Sequence, residues 1–148
     1  MSYDNLRKGR VSLANHAYFV TTVTQDRRPL FTDLTMARMV IGAMRCLEQE
    51  NQLCSMAWVL MPDHLHWLFQ LQDGELSKVM KLFKGRSAKS LNGLRGVEGE
   101  VWQRAFYDRG VRPDEDLRML SRYIVANPLR AGLVEEIGQY PHWDAVWL

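Results

Sequence analysis

"LCSMAWVLMPDHLHWLFQL", residues 53–71, is the stretch on which the fold turns. Residues 53–61 are apolar at nearly every position, as expected of a central strand covered on both faces. Pro62 and Asp63 supply a turn, and residues 64–71 return as an antiparallel partner. Successive side chains of a strand point to opposite faces. Leu65, Trp67, Phe69 and Leu71 therefore share the face expected to lie under helices, while His64, His66, Leu68 and Gln70 share the other.

Working outward, "HAYFVTTVTQ" (16–25) is aromatic and β-branched and predicts a strand. "LTMARMVIGAMRCLEQEN" (34–51) predicts an amphipathic helix with Leu34, Ala37, Ile41, Met44 and Leu47 on its buried stripe. After "DG" at 73–74, Leu76, Val79, Met80 and Phe83 recur at helical spacing, with Lys78, Lys81 and Lys89 opposite and Lys84 and Arg86 on the flanks. That helix is expected to reach residue 91, with the glycine-containing "NGLRGVEGE" (92–100) as a flexible connection. "VWQRAFYDRGVR" (101–112) predicts a short strand or an extended segment. Beyond Pro113, residues 114–127 predict a helix with acidic residues in its first turn, ended by Pro128. The order β–α–β–β–α–β plus a late helix describes an α+β, ferredoxin-like sandwich: a central antiparallel sheet with helices packed on one face. With 148 residues, no repeat and no linker, a single domain over 1–148 is expected.

The composition bounds the function. A net charge of +2 is a weak pointer to nucleic acid, but the cations cluster in "NLRKGR", "KVMKLFKGRSAK" and "WQRAFYDRGVR". Arginine outnumbers lysine, which suits bidentate phosphate contacts. No apolar run approaches the roughly 18 residues that a membrane span requires, and the basic start is followed by no apolar signal region, so a cytoplasmic location is expected. Cys46 and Cys54 are the only cysteines and read as reduced core thiols.

His64 and His66, on one strand face two residues apart, can converge on one cation. Surface strands also carry histidines with no such role. Two ligands fall short of the four of a structural zinc site, so an ion here takes further donors from the protein, water or substrate, as a catalytic ion does. On the late helix, Leu117, Leu120 and Ile124 form the expected buried stripe. Tyr123 lies at its edge, with Asn127 one turn further along.

"HLH" on a strand followed by "YIVANPLRAGLV" on a late helix resembles the single-tyrosine HUH transposases, and among them the REP-associated tyrosine transposases of bacteria. The resemblance runs nearly end to end, from "YDNLRKGRVSLANHAYFVTTVTQDRRPLF" through "AWVLMPDHLHWLF" and "VWQRAFYDRGVR" to "YPHWDAVW". It implies that His64 and His66 are metal ligands, that Tyr123 is the nucleophile, and that Asn127 stands where the superfamily has a polar third ligand. The implied activity is DNA strand transfer on a single-stranded palindromic hairpin through a 5′-phosphotyrosine. Two imidazoles, an amide oxygen and phosphate oxygens would suit Mn²⁺ or Mg²⁺. Asp63 reads as capping the hairpin turn rather than as a base.

DNA contacts are expected from Arg7 and Arg10 in the basic opening, and from Lys81, Lys84 and Arg86 on the second helix. Trp102, Arg104 and Arg112 complete the set, the tryptophan by stacking bases and the two arginines close to Tyr123. The resemblance favours a monomer over a homodimer that exchanges the tyrosine helix. Two other readings remain open: a hydrolytic metallo-phosphodiesterase using the histidines without Tyr123, and a domesticated palindrome-binding protein that does not cleave.

Overall fold

A computed structural model describes residues 16–72, 74–112 and 114–147. Among these residues, strands β1 (Ala17–Val23), β2 (Leu53–Leu60), β3 (His64–Leu71), β4 (Tyr107–Gly110) and β5 (Trp143–Ala145) form one antiparallel sheet in the order β4-β1-β3-β2-β5. The helices are α1 (Leu34–Gln49), α2 (Leu76–Arg95), α3 (Leu117–Val125) and α4 (Asn127–Arg130). The α+β sandwich expected from the sequence is present, with β3 at its centre and β5 as an added edge strand.

One face of the sheet packs on α1 and α2. Leu65, Trp67, Phe69 and Leu71 of β3 lie there, fully or almost fully buried, together with Val20, Leu53, Leu60, Phe83 and Leu91. Leu53 and Leu60 are seven residues apart, a spacing that would place them on opposite faces of a regular strand. A bulge between Ser55 and Ala57 resets the alternation, so Leu53 opposes Leu71 and Leu60 opposes Leu65 on the same side. The almost continuous apolar run of β2 concealed this reversal.

The opposite face is covered by α3. Ile124 and Val125 pack with Ala57, Val59, Met61, Leu68, Val111 and Ala145. The sheet is thus buried on both faces, and the histidine face meets the late helix instead of lying bare.

Several boundaries shift for local reasons. Asp33 caps α1 by accepting from the Met36 amide, and Leu34, at the start, is 50% exposed instead of buried. The buried stripe runs through Met36, Ala37, Val40, Ala43, Met44 and Leu47. α2 continues to Arg95, because Gly96 adopts φ +65° and closes it with an amide bond to the Asn92 carbonyl. Half of the expected flexible connection is therefore helix. Asp116 caps α3 through the Arg118 and Met119 amides. Pro128 does not end the helical path: it sits in the first turn of α4, after a break at Ala126 where ψ is 0°. Cys46 and Cys54 are exposed, not core thiols.

Candidate active site

His64 and His66 project from β3 at the register positions of Val23 and Thr21 on β1. Each imidazole is tied through Nδ1. His64 Nδ1 lies 2.6 Å from Asp63 Oδ1, and the other oxygen of Asp63 accepts from Arg27 at 3.2 Å. His66 Nδ1 lies 2.8 Å from Thr21 Oγ1. With Nδ1 engaged, Nε2 is the nitrogen of each ring open to a metal, the arrangement by which outer partners orient metal-bound imidazoles. The ring centroids are 4.8 Å apart with planes at 80°. The two rings are close neighbours on one face of the sheet, as two donors to a shared ion must be.

Electrostatics favour the ligand form. Burial, with added repulsion from His64 and Arg130, pushes the His66 pKa down to about 4, so that its ring is neutral at physiological pH. Partial burial acts to raise the Asp63 carboxyl, but the hydrogen bonds and charges of His64 and Arg27 outweigh it and hold the group below the ordinary carboxylate range. Among the described residues, no three His, Cys, Asp or Glu side chains group to hold an ion. The donor set is two imidazoles plus whatever an amide, water or substrate adds, and such a mixed nitrogen and oxygen set fits a divalent cation such as Mg²⁺ or Mn²⁺.

Tyr123 lies on α3, which packs on the histidine side of the sheet: Val59, the register partner of His66, shares its cluster with Ile124 and Val125. The residue is 59% exposed. The guanidinium carbon of Arg130 stands 3.9 Å from its ring centroid. The same guanidinium adds, after burial and His64, to the lowering of the His66 pKa. Asn127 is half-buried at the junction of α3 and α4, and its Nδ2 donates to the Ile124 carbonyl at 2.8 Å. The amide oxygen takes no part in that bond.

A model of the family described as "Transposase IS200 like" matches residues 12–127. The chain belongs to that transposase family. A REP-associated tyrosine transposase of Escherichia coli K12 is 25% identical over 126 residues, covering 84% of this chain and 72% of the relative. A Haemophilus influenzae protein assigned to the same group is 28% identical over 137 residues, covering 84% and 77%. The solved structure of a REP-associated tyrosine transposase bound to a REP hairpin matches with a TM-score of 0.74 at 24% identity, over 90% of this chain and 79% of that one. The membership brings DNA binding and transposase chemistry to the chain, and the structural likeness carries the fold. No helix among the described residues is long and apolar enough to cross a membrane.

The expected DNA-contacting residues of the transposase divide sharply. Trp102 is 3% exposed, donates its Nε1–H to Ser87 Oγ at 2.9 Å and packs between Phe31 and Phe83. It is a core residue and cannot stack bases. Lys84 donates to the carbonyls of Gln103, Arg104 and Ala105, pinning the segment before β4 to α2. Arg86 pairs through both terminal nitrogens with Glu50, joining α2 to α1. Lys81 and Arg104 are exposed and border a groove of about 660 Å³ against α2. That groove is on the helix-layer side, so Arg104 does not lie beside Tyr123. Arg112 is exposed on the α3 side, in ion pairs with Asp114 and Glu115 at 3.7 and 3.4 Å. Arg7 and Arg10 lie outside the described residues.

Three residues of the site escaped the sequence reading. Asp63 had been assigned to the turn, yet its side chain orients His64. Thr21 becomes visible only once the β1–β3 register is known. Arg130 stood in the open within "NPLRAG", and its position seven residues after Tyr123 was the available signal.

Proposed function

We propose that this transposase is a metal-dependent, single-stranded DNA endonuclease and strand transferase that acts on palindromic hairpin elements of the REP type through Tyr123. The observation that carries the reading is that both imidazoles are clamped through Nδ1, with Nε2 left for coordination, on the sheet face that also carries the tyrosine helix.

In the proposed reaction the Tyr123 phenol attacks a scissile phosphodiester in line. The phenolic oxygen–phosphorus bond forms as the phosphorus–O3′ bond breaks. The phenolic proton passes to solvent and the departing 3′-oxygen takes one up, leaving a 5′-phosphotyrosine and a free 3′-hydroxyl. One phosphoester replaces another, so the link can pass to a second 3′-hydroxyl without ATP. A phenol of ordinary pKa around 10 is a modest nucleophile at neutral pH. A divalent cation held by His64, His66 and Asn127 would withdraw charge from the phosphate. The chain's own part is orientation: Asp63 and Thr21 set the rings, and the α3 core packing fixes the base of Tyr123 while its hydroxyl stays in solvent.

The test is incubation of a labelled single-stranded hairpin with the protein and Mn²⁺. A detergent-resistant protein–DNA adduct is expected, lost in Tyr123→Phe and strongly reduced in His64→Ala and His66→Ala. An adduct that survives Tyr123→Phe would place the nucleophile elsewhere. Cleavage without any adduct would mean hydrolysis in place of strand transfer.

A further inference from the structure

The Tyr123 ring is covered by Arg130, and nothing in the proposed reaction yet uses that contact. Seven residues are two helical turns and about 10.5 Å of rise in an unbroken helix. Here the chain breaks at Ala126 and restarts at Asn127, and the guanidinium reaches back to 3.9 Å from the phenol ring. Arg130 is exposed. Among the described residues no carboxylate pairs with it, although Arg86, Arg109 and Arg112 all find acidic partners. A guanidinium carries five N–H donors in one plane. With the phenol ring against the guanidinium and no acidic partner among the described residues, those donors are available to an anion. A cation set against the proposed nucleophile, with no acidic partner among the described residues, is where a bound phosphate would meet both groups.

We propose that Arg130 holds the scissile phosphate of the DNA beside Tyr123, donating to its non-bridging oxygens while the stack keeps the phenol in line. This inference rests on the strand-transfer reading, in which Tyr123 is the nucleophile. As the phenolic oxygen–phosphorus bond forms and the phosphorus–O3′ bond breaks, negative charge is carried by the non-bridging oxygens, and a preplaced guanidinium stabilises it without further reorganisation. Arginine suits the task better than lysine because its flat fork can stack and donate two bonds at once. A bare stacking role would stabilise an exposed tyrosine slightly and do nothing to the phosphate.

The two roles separate with a charge-neutral substrate. Single-turnover adduct formation is measured on two hairpins, one with an ordinary scissile phosphate and one with a methylphosphonate there, which removes the negative charge. Arg130→Gln is expected to slow the phosphate reaction about 10²-fold, as for loss of one preorganised donor set. KM for the DNA is expected to move far less than kcat. On the methylphosphonate, variant and wild type are expected to react at similar rates. Equal slowing on both substrates, or no slowing on either, overturns the proposal. Should Arg130→Gln fail to fold, Arg130→Lys replaces it: slowing of about 10-fold, confined to the phosphate substrate, supports the assignment, and equal slowing on both, or none, overturns it. A wild-type adduct with an indifferent Arg130→Gln removes this inference alone. A wild-type protein that forms no adduct, or an adduct kept in Tyr123→Phe, removes the strand-transfer reading and the role of Arg130 with it.

Discussion

Replacing Asp63 tests whether the histidine pair works as a preset metal clamp. The carboxylate holds His64 Nδ1 at 2.6 Å and is itself held by Arg27, so it fixes both the tautomer and the direction of Nε2. Asp63→Asn keeps an acceptor of the same shape but removes its charge. Hydrogen bonds to charged groups contribute about 1.5–3 kcal/mol and neutral ones about 1 kcal/mol, so roughly 1 kcal/mol of orienting energy is lost. Asp63→Ala removes all of it. Outer partners of metal-bound imidazoles control affinity by about 10- to 100-fold, and the two variants should fall near the two ends of that range. The assay is adduct yield, together with Mn²⁺ binding by calorimetry, across a metal titration. Half-saturation is expected to rise about 10-fold in Asp63→Asn and about 100-fold in Asp63→Ala, with the rate recovered at saturating metal. Folding should survive, because the Arg27 partner is largely exposed and the hairpin turn is held separately by the Thr24 amide and hydroxyl on the Asp63 carbonyl. An unchanged half-saturation point would refute the clamp. So would a rate that excess metal cannot restore, since that would give Asp63 a role in the chemical step.

Other consequences follow from the same contacts. The native pKa of His66 is about 4 against 6.5 for the free side chain, so the unfolded chain binds the proton first. The stabilisation is complete above pH 6.5 and is lost as pH falls from 6.5 towards 4, by about 3 kcal/mol in all; urea unfolding of wild type and His66→Gln at pH 7 and pH 5 should show a steeper loss in wild type. Trp102→Phe should destabilise by about 1–2 kcal/mol through loss of its buried hydrogen bond to Ser87, with hairpin affinity unchanged, read by urea unfolding and gel shift. Lys84→Met should likewise lower stability, by about 1–3 kcal/mol, while the salt dependence of DNA binding keeps its slope. Gly96→Ala should cost about 1 kcal/mol, because φ is +65° at that cap, with adduct formation intact.

Much of the layout was legible because it repeats along the chain. Alternation in residues 64–71 assigned Trp67 and Phe69 to the helix layer and the two histidines to the other side, and the burial of those residues agrees. Periodicity likewise located the two long helices. It missed at ends and at irregularities, where one residue governs: the bulge in β2, the left-handed Gly96, and the break at Ala126. The basic residues were the least legible. Charge marks a residue as able to meet phosphate, but Lys84 and Arg86 are engaged by carbonyls and by Glu50, partners distant in the sequence.

Taken alone, the order of residues determined the sheet-and-helix plan, the shared face of His64 and His66, and the motif that goes with Tyr123. These depend on spacings of a few residues, which the geometry of strand and helix converts directly into direction. Tertiary structure decided which nitrogen of each ring is held, that α3 lies over the histidine side, and that Arg130 rather than a carboxylate accompanies the phenol. Each of those facts is a meeting between residues on separate elements or across a break in a helix. Only strand register and packing can bring such groups within bonding distance.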